Sequence, residues 1–270
     1  MRNKKVGLIG FGSIGQSILK AWHSDEVTSH QLVSVLVRGK QLEHARANAP
    51  PGVKVTDAAA EFPAGLDVVV EAAGHNAVLE HGETFLRCGI DFMVLSVGCL
   101  ANDGFLHSLK LAAHEGSSRI LLPIGATAGL DGLLALRRAG LYRVKYTSKK
   151  PPAAWKGTPA QSICDLDALT QPRTIFSGTA REAASMYPRN ANITAAVALA
   201  GLGFDQTQVD LVADPNLQEN VGHIEAEGKY SKLAVTVSGS SVPGNPKTSR
   251  LTGMSVLSAL DNEGSLVSFL

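Results

Sequence analysis

Short apolar runs and longer amphipathic runs alternate through the first 125 residues. Residues 5–9 (KVGLI) read as a buried strand, and residues 14–23 place Ile14, Ile18, Leu19 and Trp22 at helical spacing. A second β-rich run, QLVSVLV, covers 31–37. Further strands are expected at 68–70, 93–97 and 120–122, with helices at 76–88 and 103–115 between them. Strand, glycine loop, helix and strand within residues 5–37 make a βαβ unit. The repeated alternation predicts an α/β fold: a Rossmann-type, doubly wound parallel sheet.

Past residues 123–129 (PIGATAG) the alternation stops. Residues 130–139 read as a helix, 141–147 as a strand and 149–155 as a proline-rich loop. Two helices follow, at 177–187 and 192–202. The second is apolar almost all round and should be buried, with Asn192 as its N-cap and Gly201 or Gly203 at its end. Strands are expected at 209–213, around 223–227 and at 232–238, then a polar loop at 239–249 and a last helix at 250–260. The domain expectation is therefore a dinucleotide-binding domain over 1–125, with 250–270 packing back on it. Residues 126–249 form a second, mixed α+β domain for substrate, catalysis and oligomerisation. The chain has no internal repeat and no low-complexity tract.

Composition narrows the class. Of 270 residues 44% are hydrophobic and 18% charged, which excludes wholesale disorder. The 25 Lys+Arg against 24 Asp+Glu leave a net charge of +1, which argues against a dedicated nucleic-acid or membrane-surface binder. Cys88, Cys99 and Cys164 form no C-x-x-C pair; they fit reduced thiols in a cytoplasmic protein, and no metal site is expected. No run reaches the ~18 apolar residues of a membrane span. The N-terminus resembles a signal peptide briefly, but glycines at 7, 10, 12 and 15 break the apolar stretch and no clean cleavage site follows.

Gly10-Phe11-Gly12-Ser13-Ile14-Gly15 is a G-x-G-x-x-G placed after a strand and at the opening of a helix. Gly10 permits the tight turn, Gly12 lets the backbone approach a pyrophosphate, and Gly15 allows close helix–strand packing. Ser13 and Ile14 lie where the helix presents unpaired N–H groups to an anion. An ordinary glycine-rich turn is the plain alternative; the βαβ context favours dinucleotide binding. The end of the second strand commonly carries an acid that reads the ribose of NAD. Here it reads Val37-Arg38-Gly39-Lys40. Arg38 could pair with a 2′-phosphate, so NADP(H) should be well accepted beside NAD(H); the alternative is a solvated surface arginine. Ala72 and Ala73, after the strand at 68–70, complete the cofactor-binding set.

Catalytic candidates are few. Of eight histidines only His223 follows His114, so it is the one imidazole of the second domain. Hydride chemistry needs a proton partner near neutral pH, which nominates His223; a satisfied core histidine is the alternative. Lys149 and Lys150 could hold a substrate carboxylate, or form a solvated basic loop, and Lys150 is next in line for the proton transfer. Arg181 and the start of the 192–202 helix are further sources of positive charge.

Several segments together resemble the L-aspartate dehydrogenase family. They are VGLIGFGSIG, VVVEAAGHNAV (68–78), LSVGCLAN (95–102), PIGATAGLDGL (123–133), FSGTAREAASMYPRNANITAAVALAGLG (176–203), residues 220–224, and NPKTSRLTGMSVLSAL (245–260). The resemblance implies nicotinamide-dependent oxidative deamination of L-aspartate to iminoaspartate, which hydrolyses to oxaloacetate and ammonia, and the reverse reductive amination. It implies His223 as the catalytic histidine and Ala126 and Asn192 as cofactor contacts. Iminoaspartate would also connect the protein to pyridine nucleotide biosynthesis. A homodimer built on the second domain's sheet is expected from shape. One departure is Gly74-His75, where a small hydroxyl residue and proline are expected.

Other readings differ in class. Sugar oxidoreductases of this shape show Glu-Lys-Pro where this chain reads Ser96-Val97-Gly98-Cys99, and the His-His doublet of dihydrodipicolinate reductases is absent. A dehydrogenase of homoserine-dehydrogenase-like architecture remains, as does a non-catalytic NAD(P)-sensing module.

Overall fold

The computed structural model of the chain describes residues 3–23, 30–242 and 245–269. The chain divides into two compact units. One is Met1–Gly125 with Thr252–Leu270, and the other is Ala126–Leu251.

The first unit contains β1 (Lys4–Ile9), α1 (Ser13–His23), β2 (His30–Leu36), α2 (Leu42–Asn48), β3 (Lys54–Thr56), β4 (Val68–Glu71), α3 (His75–Arg87), β5 (Asp91–Val94), α4 (Asp103–Gly116) and β6 (Ile120–Leu121). Its six strands run in the order β3-β2-β1-β4-β5-β6, every pair parallel. The order reverses between β1 and β4, which is the doubly wound arrangement. Val68, Val69 and Val70 are fully buried on both faces of the sheet, as the unbroken β-branched run requires. The expected strand at 93–97 ends at Val94 instead, and Val97–Ala101 is a 3₁₀ turn.

The second unit contains α5 (Leu130–Arg138), β7 (Leu141–Lys150), β8 (Arg173–Thr179), α6 (Ala180–Met186), α7 (Asn192–Ala200), β9 (Gln208–Ala213), β10 (Asn220–Gly228), β11 (Lys232–Gly239), β12 (Ser241–Val242) and β13 (Asn245–Ser249). Five strands form a mixed sheet, β11-β10-β7-β9-β8, in which only β7 and β9 are parallel. Helices cover one face: α5 packs on β7 and β10, α6 on β8 and β9, and α7 on α5 and α6. Strand burial alternates accordingly. Val144, Tyr146, Ser148 and Lys150 of β7 are buried, while Arg143 and Lys149 face the open side.

Four expectations about this unit are corrected. Lys149 and Lys150 end a ten-residue strand and do not lie in a loop. Residues 177–179 belong to β8, and α6 starts only at Ala180, because Thr179 and Glu182 form a capping box there. The N-cap of α7 is Ala191, so Asn192 is its first helical residue. The polar stretch 239–249 includes the paired strands β12 and β13, with residues 243 and 244 outside the described residues.

The last helix, α8 (Leu251–Gly264), supplies Val256, Leu257 and Leu260 to the core of the first unit. Glu263 binds Lys4 of β1 and Arg119 beside β6. Both cations hold its carboxyl below the usual range, although burial works in the other direction. Among the described residues no helix is long and apolar enough to cross a membrane.

Candidate active site

The glycine turn stands at the carboxyl end of β1, at the point where the strand order reverses. Gly10 adopts φ +111°, and a Cβ there would lie 2.6 Å from the Ala72 carbonyl oxygen. A Cβ on Gly15 would lie 2.3 Å from the Gly10 carbonyl oxygen, so α1 can approach the turn only without a side chain. At Gly12 no atom lies within 4 Å of the Cβ position. The first backbone bond of α1 runs from Gln16 N–H to the Gly12 carbonyl at 2.9 Å, which leaves the N–H groups of Ser13, Ile14 and Gly15 ahead of it. An open cradle lined by helix N-terminal donors fits a dinucleotide pyrophosphate.

Arg38 is exposed just past β2, and its guanidinium has no hydrogen-bond or ion-pair partner among the described residues. The Asp57 carboxylate stands close by, 3.0 Å from the position a Gly39 Cβ would take. Sequence reasoning passed over Asp57, which sits beyond β3 and not at the end of β2.

Ala72 and Ala73 are held by a residue that the sequence analysis also missed. Glu71 is completely buried at the end of β4. Its Oε1 accepts the N–H groups of Ala73 and Gly74, both at 2.7 Å, and the Ser96 hydroxyl at 2.9 Å; its Oε2 accepts Ser96 N–H at 3.0 Å. Burial pushes the carboxyl pKa up against those four donors. The carboxylate ties the turn after β4 to the turn after β5. Its signal was a single acid ending the run VVVE. Burial first, and then Glu71, push the nearby Cys99 thiol up to about 12, so it is not a thiolate nucleophile.

In the second unit the nominated residues fall on two sides of one sheet. His223 pairs in register with Thr147 of β7 and Thr236 of β11, on the open face. Its Nδ1 lies 2.7 Å from Thr236 Oγ1 and its Nε2 lies 3.9 Å from Glu225 Oε2. Lys150 lies three residues beyond Thr147 with no bulge between, and therefore projects from the helix-covered face. Its Nζ donates to Asn190 Oδ1 at 3.1 Å and stands 5.5 Å from the centre of the Trp155 ring. Asn192 opens α7 in the layer on that same side, and Ala126 lies in the bend before α5. His223 and Lys150, nominated together, are thus not brought together.

Two other cations are settled by contacts and position. Arg181 grips Asp205 through Nε and Nη2 at 2.6 and 2.8 Å, so it is committed within the surface of the unit. Lys149 is exposed on the open face, the face of His223. Asn190, which the sequence analysis passed over, is 8% exposed.

A parallel sheet in this order with an open glycine cradle at its switch point, followed by a mixed α+β unit, defines a Rossmann-type oxidoreductase that uses a pyridine nucleotide. Residues 10–123 match the family profile described as homoserine dehydrogenase, NAD binding domain, and residues 131–263 match aspartate dehydrogenase, C-terminal. The chain is 44% identical over 261 residues to the L-aspartate dehydrogenase of Polaromonas sp. strain JS666, covering 96% of this chain and 97% of that one. It is 43% identical over 266 residues to the L-aspartate dehydrogenase of Pseudomonas aeruginosa, covering 97% and 98%. The crystal structure of aspartate dehydrogenase from Thermotoga maritima shares the fold over 100% of both chains, with a TM-score of 0.78 and 23% identity. The chain belongs to the L-aspartate dehydrogenase family. Neither a homoserine-dehydrogenase-type enzyme nor a non-catalytic sensor is favoured by these likenesses.

Proposed function

We propose that the protein oxidises L-aspartate to iminoaspartate, which hydrolyses to oxaloacetate and ammonia, and that it runs the reverse reductive amination. The reading rests on near-full-length likeness to proteins named L-aspartate dehydrogenase, and on one structural observation: a buried lysine beside a buried asparagine amide, in a unit that follows a nucleotide cradle. The Ser13, Ile14 and Gly15 N–H groups would hold the pyrophosphate, with Gly10 and Gly12 shaping the turn and Ala72 and Ala73 lining its far side. Ala126 and Asn192 are the contacts proposed in the second unit. The nicotinamide supplies the hydride acceptor when bound. Lys150 would fix a substrate carboxylate and so orient the α-carbon. Absorbance at 340 nm with L-aspartate and each nucleotide, then with oxaloacetate and ammonia, tests the activity. Nucleotide binding without turnover in either direction would instead mark a sensor.

We infer that His223, on the open face with Thr236 Oγ1 at 2.7 Å from its Nδ1, carries the proton transfer, and that Lys150 is the next candidate for it. His223→Ala is expected to lower kcat by about 10²–10⁴, the range of a positioned acid–base, with cofactor affinity little changed. A kcat within a few-fold of the parent enzyme in both directions would make His223 structural and pass the proton transfer to Lys150.

Arg38 supports good use of NADP(H) beside NAD(H). Arg38→Ala is expected to weaken NADP⁺ by about 1.5–3 kcal/mol, the range for hydrogen bonds to charged groups, with NAD⁺ nearly unchanged. Calorimetric titration of both nucleotides measures this, and equal losses would give Arg38 no part in the choice. A homodimer through the open sheet face, a cytoplasmic location and a supply of iminoaspartate to pyridine nucleotide biosynthesis belong to the same reading. Sedimentation velocity tests the first of these.

A further inference from the structure

We propose that Thr236 is a positioning residue for the proton transfer: its hydroxyl oxygen accepts the Nδ1–H of His223 and so holds the imidazole in the tautomer whose Nε2 lone pair takes the substrate proton. The proposal deepens the reading of the protein as an L-aspartate dehydrogenase and rests on it for the role of His223.

His223 and Thr236 stand opposite each other on β10 and β11, with Nδ1 2.7 Å from Oγ1. Among the described residues this is the one hydrogen bond of the ring, since Nε2 and Glu225 Oε2 are 3.9 Å apart, beyond hydrogen-bond reach. Which nitrogen of a neutral imidazole carries the proton is set by the bond that the other nitrogen makes. A threonine hydroxyl can donate or accept. Were it to donate to Nδ1, the proton would stand on Nε2 and the ring would offer no free base. When it accepts from Nδ1, Nε2 keeps its lone pair. The accepting arrangement also serves the charged ring, because an imidazolium donates from both nitrogens and its Nδ1–H then makes a charge-assisted bond to Oγ1. A proton therefore comes and goes at Nε2 without a ring flip. In oxidative deamination an N–H bond of the substrate α-ammonium breaks and an Nε2–H bond forms. That leaves a neutral amine and an imidazolium, with Thr236 the acceptor before and after.

The pair is fixed by the sheet. β10 lies between β7 and β11 and pairs with both in unbroken register from Val221 to Glu227. Ile224 and Ala226 are buried on the helix-covered side, which sends His223 to the open side. On β11, Val235 stands so close to Gly129 that a Cβ there would lie 2.7 Å from its Cγ2, and this keeps the adjacent Thr236 on the open side. Threonine is branched at Cβ and stiff at χ1, so a fixed backbone also fixes the hydroxyl. By register, the charged neighbours on this face are Glu225 on β10 and Lys145 and Lys149 on β7. Lys145 is tied to Asp210. An ammonium has no acceptor, so neither lysine can replace Thr236 in holding Nδ1–H.

Thr236→Val keeps the branched shape and removes the hydroxyl. It is expected to lower kcat for L-aspartate by about 10–100-fold, the loss of one hydrogen bond to a charged group, with KM and NADP⁺ affinity little changed. Thr236→Ser restores the hydroxyl and should return kcat to within a few-fold of the parent. Protein labelled with ¹⁵N-histidine gives a readout apart from turnover, with the His223 signal assigned by its loss in His223→Ala. In the neutral ring that signal should show a protonated Nδ1 and a bare Nε2, and Thr236→Val should move it toward the mixture of a free imidazole. Circular dichroism establishes that each variant is folded. A parent ring protonated at Nε2 would overturn the proposal. So would parent-like kcat in Thr236→Val when His223→Ala has lost it, and the role of His223 would then stand. If His223→Ala keeps the parent kcat, that role falls and the proposal falls with it.

Discussion

Lys150→Met should lower kcat/KM for L-aspartate by about 10²–10³-fold, because removing one partner of a buried charge pair costs about 2–5 kcal/mol. Methionine keeps an unbranched stem against Trp155 and deletes only the charge and its donors, so packing changes little. The loss should fall on kcat as well as KM if the ammonium also orients the α-carbon; a loss in KM alone would mean that it only holds the substrate. NADP⁺ affinity by calorimetry should not move. Steady-state kinetics in both directions measure the effect, and a kcat/KM within a few-fold of the parent would remove Lys150 from the site.

The second large effect concerns the cradle. Gly12→Val should fold normally, since no protein atom lies within 4 Å of the new Cβ. The branched side chain would fill the space through which a pyrophosphate approaches, and nucleotide binding should weaken by more than about 100-fold, the equivalent of two or more charged hydrogen bonds. Gly15→Ala makes the contrast, because its Cβ would lie 2.3 Å from the Gly10 carbonyl oxygen. That variant should lose thermal stability along with binding. Thermal midpoints and calorimetry on the two variants separate an occupied space from a broken turn; normal NADP⁺ binding by Gly12→Val would mean the turn is not a nucleotide cradle.

Where local patterns carry the information, the sequence is easy to read. β1, β2 and β4 are buried apolar runs, the glycine spacing is local, and α7 is apolar all round. α2 was invisible because Ala45 is its only buried residue, and β3 because it has three residues. Lys150 was misplaced for another reason. A KK doublet before two prolines looks solvated, yet the alternation Val144, Tyr146, Ser148 carries straight through to Lys150. The same parity already set His223 with Glu225 on the side opposite Ile224 and Ala226. Asn190 and Lys150 meet across 40 residues, and Glu71 and Ser96 across 25. No local pattern announces such pairs.

The return of α8 has a consequence for the order of folding. During synthesis the second unit, continuous from Ala126 to Leu251, emerges complete before Val256, Leu257, Leu260 and Glu263 have been added. The unit that begins the chain must therefore wait with an unfilled core and an uncompensated Lys4, while the later unit is already able to close. Nucleotide-binding competence would arrive last, and the stretch most exposed to chaperones and proteases in a nascent chain would be the parallel sheet made first.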